Sequence, residues 1–163
     1  MSASMSSQAP RWMGVRVALI ILVLDQLSKW WIVTKVMNPP TVIEVAPFFN
    51  LVLGLNTGVS FGMFGGGEDF GRWALSGLAI AIAGALAVWL WRVQKPLLAV
   101  ALGMIIGGAI GNVIDRLRVG AVIDFLDFHA FNYHWPAFNV ADSGITLGAA
   151  ALILDSLFAK DDG

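Results

Sequence analysis

Residues 97–116 read LLAVALGMIIGGAIGNVIDR, and this stretch decides the fold. No charge interrupts it from Leu97 to Ile114, and polar chemistry enters only at its end, with Asn112, Asp115 and Arg116. A run of roughly 20 apolar residues suits either the core of a large protein or the hydrocarbon of a bilayer, which a helix of that length crosses. The first destination is closed here. The chain has 163 residues, 58% hydrophobic and 13% charged, with a mean hydropathy of +0.77. A soluble domain this small could not bury so much apolar surface.

Working outward, three similar stretches run from about Trp12 to Val33, Trp73 to Trp91 and Phe138 to Phe158, with the quoted one taken as Leu97 to Asp115. The first is interrupted by Asp25, Gln26 and Lys29, and no small-residue cleavage site follows, so it reads as a retained helix and not a secretory signal. All seven tryptophans, at positions 12, 30, 31, 73, 89, 91 and 135, fall at or just beyond the proposed span ends, where amphipathic indoles prefer to sit. The expected fold class is an all-α integral membrane protein, one membrane domain over residues 1–163 with four transmembrane helices.

Basic residues are evenly divided between the two sides. Discounting Lys29 and Arg116, which answer to internal partners, favours both termini inside, with Arg11, Arg16, Arg92, Lys95 and Lys160 cytoplasmic. Two outer connections follow, about 36–72 and 116–137. The first has β-type stretches at Thr41–Val45 and Phe48–Leu53, then Gly65-Gly66-Gly67; it predicts a small sheet against the membrane surface, holding Phe48, Phe49, Phe61 and Phe64 at lipid or substrate. The second carries Asp124, Asp127, His129, His134 and Trp135 and is expected to emerge on the same outer side.

Composition also excludes chemistry. A net charge of −1 without a basic run argues against nucleic acid as a partner, and the absence of cysteine removes disulfides, thiolate metal sites and cysteine nucleophiles. Ser28, Ser60, Ser76 and Ser143 lie in no nucleophile motif, and Ser28 and Lys29, being successive, point apart on a helix. Asp127, His129 and His134 match no zinc spacing, so no metal and no cofactor is expected. Gly103, Gly107 and Gly111, with Gly108 beside them, form a small-xxx-small ladder for close helix packing. Asp155, Asp161 and Asp162 read as interfacial or solvated charges.

Carboxylates inside a membrane are costly and mark candidate sites. Asp25 and Lys29, four apart on one helical face, suit an ion pair, read as a structural clasp ahead of direct chemistry. Asn112, Asp115 and Arg116 share a face at the outer end of the third span, where a neighbouring arginine suits anchoring or headgroup contact. Asn139 and Asp142 share a face at the start of the fourth, and Asp142 has no basic residue within a helical turn. Asp124 has apolar neighbours and no cation beside it; it is either an ordinary exposed loop acid or the second member of a carboxylate pair. Two carboxylates sharing one site cannot both ionise easily, so one polarises a carbonyl while the other activates water. A proton relay in a small transporter, or a non-catalytic scaffold, would use the same residues, but a relay should also place carboxylates in the inner half.

Five segments together resemble the lipoprotein signal peptidase (signal peptidase II) family: Asp25-Gln26-Leu27-Ser28-Lys29, Asn56-Thr57-Gly58-Val59-Ser60-Phe61-Gly62, Gly111 to Arg116, Val122-Ile123-Asp124-Phe125, and Phe138 to Ser143. The resemblance covers Trp12 to about Phe158. It implies that Asp124 and Asp142 are a catalytic aspartate dyad, that Asn56, Gly108, Asn112, Asp115, Arg116, Asn139 and Ala141 shape the substrate site, and that Asp25 and Lys29 support the fold. It further implies a small extracytoplasmic β-cradle with a periplasmic loop or helix segment, placement in the bacterial inner membrane with the active site near the periplasmic face, and phospholipid neighbours. The implied substrates are diacylglyceryl-modified prolipoproteins cut before the lipidated cysteine, and the implied inhibitors are of the globomycin type.

Overall fold

The computed structural model describes residues 9–58, 67–131 and 133–158. Four helices run through it: α1 (Ala9–Trp31), α2 (Gly67–Leu90), α3 (Pro96–Val119) and α4 (Val140–Phe158). A π-helical turn, Ile32–Val36, extends α1 and is closed by the Met37 amide donating to the Ile32 carbonyl at 2.7 Å. All four helices are long and apolar enough to cross a membrane. At 24 residues, α3 reaches about 36 Å. Pro96 opens it, and Gly120, at φ 84°, ends it in the left-handed conformation that a Cβ would disfavour.

The helices are unequal. In its most apolar stretch α3 is 61% buried, against 17% for each of the others, so it is the central post on which α1, α2 and α4 pack. The glycine ladder makes this possible. Gly103 meets the backbone of Gly14, Gly107 that of Ala18, and Gly111 the Asp25 carboxylate, all on α1, while Gly108 on the adjoining face meets the Ala141 carbonyl of α4. A Cβ at any of these would force the helices apart. The outward faces are the reverse: Leu19, Ile20, Val23, Leu24 and Leu27 of α1 are each more than half exposed. Water would forfeit roughly 1.5–3 kcal/mol for each such side chain, and lipid does not. The seven tryptophans are 44 to 61% exposed, as an interfacial belt requires.

One end of the bundle is closed by Leu90, Val93, Ala99, Leu102 and Ile106, and there Lys95 approaches Asp155 at 3.4 Å and the Arg11 guanidinium lies 6.0 Å from the Trp91 ring. The other end carries a four-stranded antiparallel sheet in chain order: β1 (Ile43–Ala46), β2 (Phe49–Asn56), β3 (Val122–Ala130) and β4 (Tyr133–His134). Ile32, Met37 and Phe125 seat it on the end of α1, with Ile43, Leu51, Leu53 and Leu126 packed around them. After β4 the chain runs back along β3, Trp135 donating to the Phe128 carbonyl at 2.8 Å and Phe138 to that of Leu126 at 3.1 Å. This returning strap delivers Asn139 to the start of α4.

Several boundaries differ from the sequence-based expectation, the second helix starting at Gly67 and not at Trp73. The third span continues a turn past Asp115, so Arg116 and Arg118 are helical. The second connection is no plain loop or helix segment: its centre is β3, paired to β2 from Phe49–Phe128 to Asn56–Val122. A single-sequence reading sees strand propensity in Val122–Phe128 only when a partner is known. The fourth span begins at Val140, which leaves Asn139 outside it. Ser60, Phe61, Phe64, Gly65, Gly66, Lys160, Asp161 and Asp162 lie outside the described residues.

Candidate active site

Where the sheet meets the helices, two polar clusters lie side by side. The first is the clasp. Lys29 Nζ lies 2.9 Å from Asp25 Oδ2, 2.6 Å from Asp115 Oδ2 and 3.1 Å from Asn112 Oδ1. All four residues are less than a tenth exposed. Gln26 Nε2 donates to Asp115 Oδ1 at 3.0 Å and to the Gly111 carbonyl at 3.2 Å. Asp25 Oδ1 accepts the Ala141 amide at 2.9 Å, and Asp115 Oδ2 accepts the Ile123 amide at 3.2 Å. The clasp thus ties α1 to α3 and fixes where α4 and β3 begin. The expected Asp25–Lys29 pair is present. Asp115, expected to answer to its neighbour Arg116, instead pairs with Lys29, because on the last turn of α3 it faces α1.

The second cluster holds Asp124 and Asp142. Asp124, on β3 opposite Gly54, is 3% exposed, so the exposed-loop reading does not hold. Its Oδ2 accepts Asn56 Nδ2 at 3.0 Å and its Oδ1 accepts Asn139 Nδ2 at 2.7 Å. Asp142, in the first turn of α4, accepts Asn112 Nδ2 at 2.8 Å on Oδ1 and the Asn139 amide at 3.2 Å on Oδ2. Asn139 therefore touches both carboxylates. It does not share a helical face with Asp142, as expected of two residues inside one helix; it caps that helix. Asn139 Oδ1 accepts the Asp142 amide at 2.9 Å while Asp142 Oδ2 accepts the Asn139 amide, a reciprocal capping box.

Burial pushes Asp124 up to about 6, with the nearby charge of Asp142 adding to it and the Asn56 and Asn139 amides opposing it. Arg116 lies in the last turn of α3. That side chain and Asn112 border a groove of about 300 Å³ between α2 and α4, whose wall includes Leu75, Leu78 and Ile82 of α2 and Ile145 of α4. Gly108 meets Ala141, the residue just before Asp142, and their smallness lets α4 approach α3. Asp25, Lys29, Asn56, Asn112, Asp115, Asp124, Asn139 and Asp142 are thus all members of one of the two clusters.

Ser28 and Ser76 each donate to a main-chain carbonyl of their own helix, and Ser143 donates to the carbonyl of Asn139 just before α4. Asp127 and His134 sit apart from the dyad: His134 Nδ1 lies 2.9 Å from Asp127 Oδ2 and stacks on His129 with ring centroids 4.8 Å apart. Burial acts to raise Asp127, but hydrogen bonds from His134 and from Asn50 Nδ2, at 3.0 Å, hold it below the usual carboxylate range. Sequence reasoning passed over Gln26 and Asn50. The position of Gln26, one residue past Asp25, was the available signal; for Asn50 there was none before its register with Asp127 was known.

The family model described as signal peptidase (SPase) II matches residues 17–158. A lipoprotein signal peptidase of Paraburkholderia phymatum is 50% identical over 153 residues, covering 93% of this chain and 89% of that one. Another, from Beijerinckia indica, is 41% identical over 156 residues, covering 95% and 93%. Two solved structures described as bacterial membrane enzymes, determined by the in meso method, superpose with TM-scores of 0.77 and 0.78. They are 30% and 32% identical, and the match covers 92% and 91% of this chain and 92% and 93% of theirs. A match of this extent, on four apolar helices joined to one antiparallel sheet, establishes that the chain is a multi-pass membrane protease belonging to the signal peptidase II family.

Proposed function

We propose that Asp124 and Asp142 are the catalytic pair with which this signal peptidase removes signal peptides from prolipoproteins, cutting just before a cysteine that carries a diacylglyceryl group. The observation that carries the assignment is Asn139, whose side chain holds Asp124 and whose main chain holds Asp142. Two carboxylates held by one residue face a common site, and in this reading they act on one water. Asp124, raised by burial to about 6, is the member that carries a proton and donates it to the scissile carbonyl oxygen in its protonated form; Asp142 takes a proton from water as the oxygen attacks the carbonyl carbon. Collapse of the tetrahedral intermediate breaks the C–N bond. Its nitrogen receives the proton held by Asp142, and the intermediate's hydroxyl returns its proton to Asp124. Asn56 and Asn112 orient the two acids, and Arg116 faces the acyl chain or backbone of the substrate at the groove mouth.

The groove between α2 and α4 takes the apolar signal peptide from the lipid side, and a globomycin-type cyclic peptide competes for the same space. The protein sits in the inner membrane among phospholipids with both termini cytoplasmic, which puts the sheet and the dyad on the periplasmic side. The chain has no cysteine, so single cysteines at Ala130 and Lys95 report sidedness: a membrane-impermeant thiol reagent applied from outside should label the first and spare the second. Incubating the purified protein with a diacylglyceryl-modified precursor and sequencing the new amino terminus tests the reaction. A terminus other than the lipidated cysteine refutes the specificity, and cleavage retained by Asp124→Asn or Asp142→Asn refutes the dyad.

A further inference from the structure

Lys29 has three hydrogens and three acceptors: Asp25 Oδ2, Asp115 Oδ2 and Asn112 Oδ1. Two carboxylates already suffice for a clasp, and the third bond leads elsewhere. Asn112 Oδ1 accepts from Lys29 Nζ at 3.1 Å and from Asn139 Nδ2 at 3.3 Å, while its Nδ2 donates to Asp142 Oδ1 at 2.8 Å. The amide is 8% exposed. Turned over, it would set its NH2 against the ammonium and its oxygen against the carboxylate, two repulsive contacts in place of two attractive ones.

We propose that Lys29 is a positioning residue of the cleavage reaction, acting through Asn112 to present an N–H to Asp142. This inference rests on the dyad reading and deepens it, since it gives the buried lysine a task beyond joining α1 to α3. Gln26 provides the contrast. It is bound to the same clasp, through Asp25, Asp115 and Gly111, with no bond to Asn112.

The test measures kcat and KM on a diacylglyceryl-modified precursor, expressed per molecule in the monodisperse folded fraction. The variants are Lys29→Gln, Asn112→Ala, both together, and Gln26→Leu. A Lys29→Gln/Asp115→Asn variant, which leaves the net charge of the clasp unchanged, covers the case in which the single lysine variant folds poorly. Misplacement of a group at the reacting centre costs about 10- to 100-fold. Lys29→Gln and the charge-balanced variant should therefore lose about that much kcat with KM little changed. Lys29→Gln should add nothing further on Asn112→Ala, and Gln26→Leu should lower stability while keeping kcat. Wild-type kcat in the folded fraction of either lysine variant overturns the inference, as do losses that multiply in the Lys29/Asn112 double variant. Asp124→Asn and Asp142→Asn are run alongside: their inactivity with an unaffected Lys29→Gln refutes the positioning role alone, and their activity refutes the dyad itself.

Discussion

The molecule contains two pairs of aspartates set side by side, three of them buried and Asp142 half-buried, and the pairs are built in opposite ways. Asp25 and Asp115 share the Lys29 ammonium and receive further donors from Gln26, Ala141 and Ile123. Asp124 and Asp142 receive only neutral amides, from Asn56, Asn112 and Asn139. A carboxylate joined to a buried cation is locked into one charge state, because changing it strands the partner. A carboxylate held by amides keeps its geometry whether or not it carries a proton. The first pair therefore suits structure and the second suits proton transfer, although both are made of the same residue type.

Exchanging carboxyl for amide should separate the pairs most sharply. Asp124→Asn and Asp142→Asn are expected to lower cleavage by roughly 10⁴-fold or more, with thermal unfolding in detergent shifted by no more than about 1 kcal/mol. Loss of folding instead of activity would make the second pair structural too. For the clasp the stability loss is the larger signal: Lys29→Met leaves two buried carboxylates unpaired and should cost about 3–5 kcal/mol of stability, read as a fall in folded yield and melting temperature. A variant as stable as the parent would show that the cation is dispensable.

The pairs should also differ in their response to pH. Asp124 is raised to about 6 from an ordinary value of 3.8. Its preference for the protonated form is fully expressed below 3.8 and is lost as pH rises through about 6, so kcat/KM should fall about tenfold per pH unit beyond that point. A rate that stays flat to pH 8 would remove Asp124 as the acid. Asn56→Ala should then lower kcat about tenfold without a stability loss, whereas Gln26→Ala should cost about 1–2 kcal/mol and spare kcat. The smallest effect belongs to a third carboxylate, Asp127, bound to a histidine and an amide outside both pairs. Its pKa is lowered, so its contribution to stability is present above 3.8 and fades only below that. Replacing His134 by Ala should change the melting point by about 0.5–1 kcal/mol equivalent near neutral pH and leave the pH profile of cleavage unaltered.

How far these sites are legible without coordinates differs from residue to residue. Asp25 and Lys29 declare themselves as a pair by their spacing on one helix. Asp115 does not, since its neighbour in sequence is Arg116 while its partner in space is on another helix. Asp124 is undecided from local sequence, because a β-strand among apolar residues and an apolar loop look alike until β2 is laid beside it. Asn139 and Asp142 are recognisable as a polar pair three apart, but the helix start falls between them, so the geometry is a cap and not a face.

Hydrophobic patterning by itself determined the four helices, the tryptophan belt and the glycine seam, because each of these follows from the solvent around a segment and from spacing along one helix. The grouping of Asp124 with Asp142 came from sequence only through the family resemblance, while the contacts that join them through Asn139, and the assignment of Lys29 to Asp115 and Asn112, were decided only by tertiary structure. They depend on where the sheet and the returning strap set Asn139, and separations of 15 and more residues in sequence leave no local trace of a 3 Å contact.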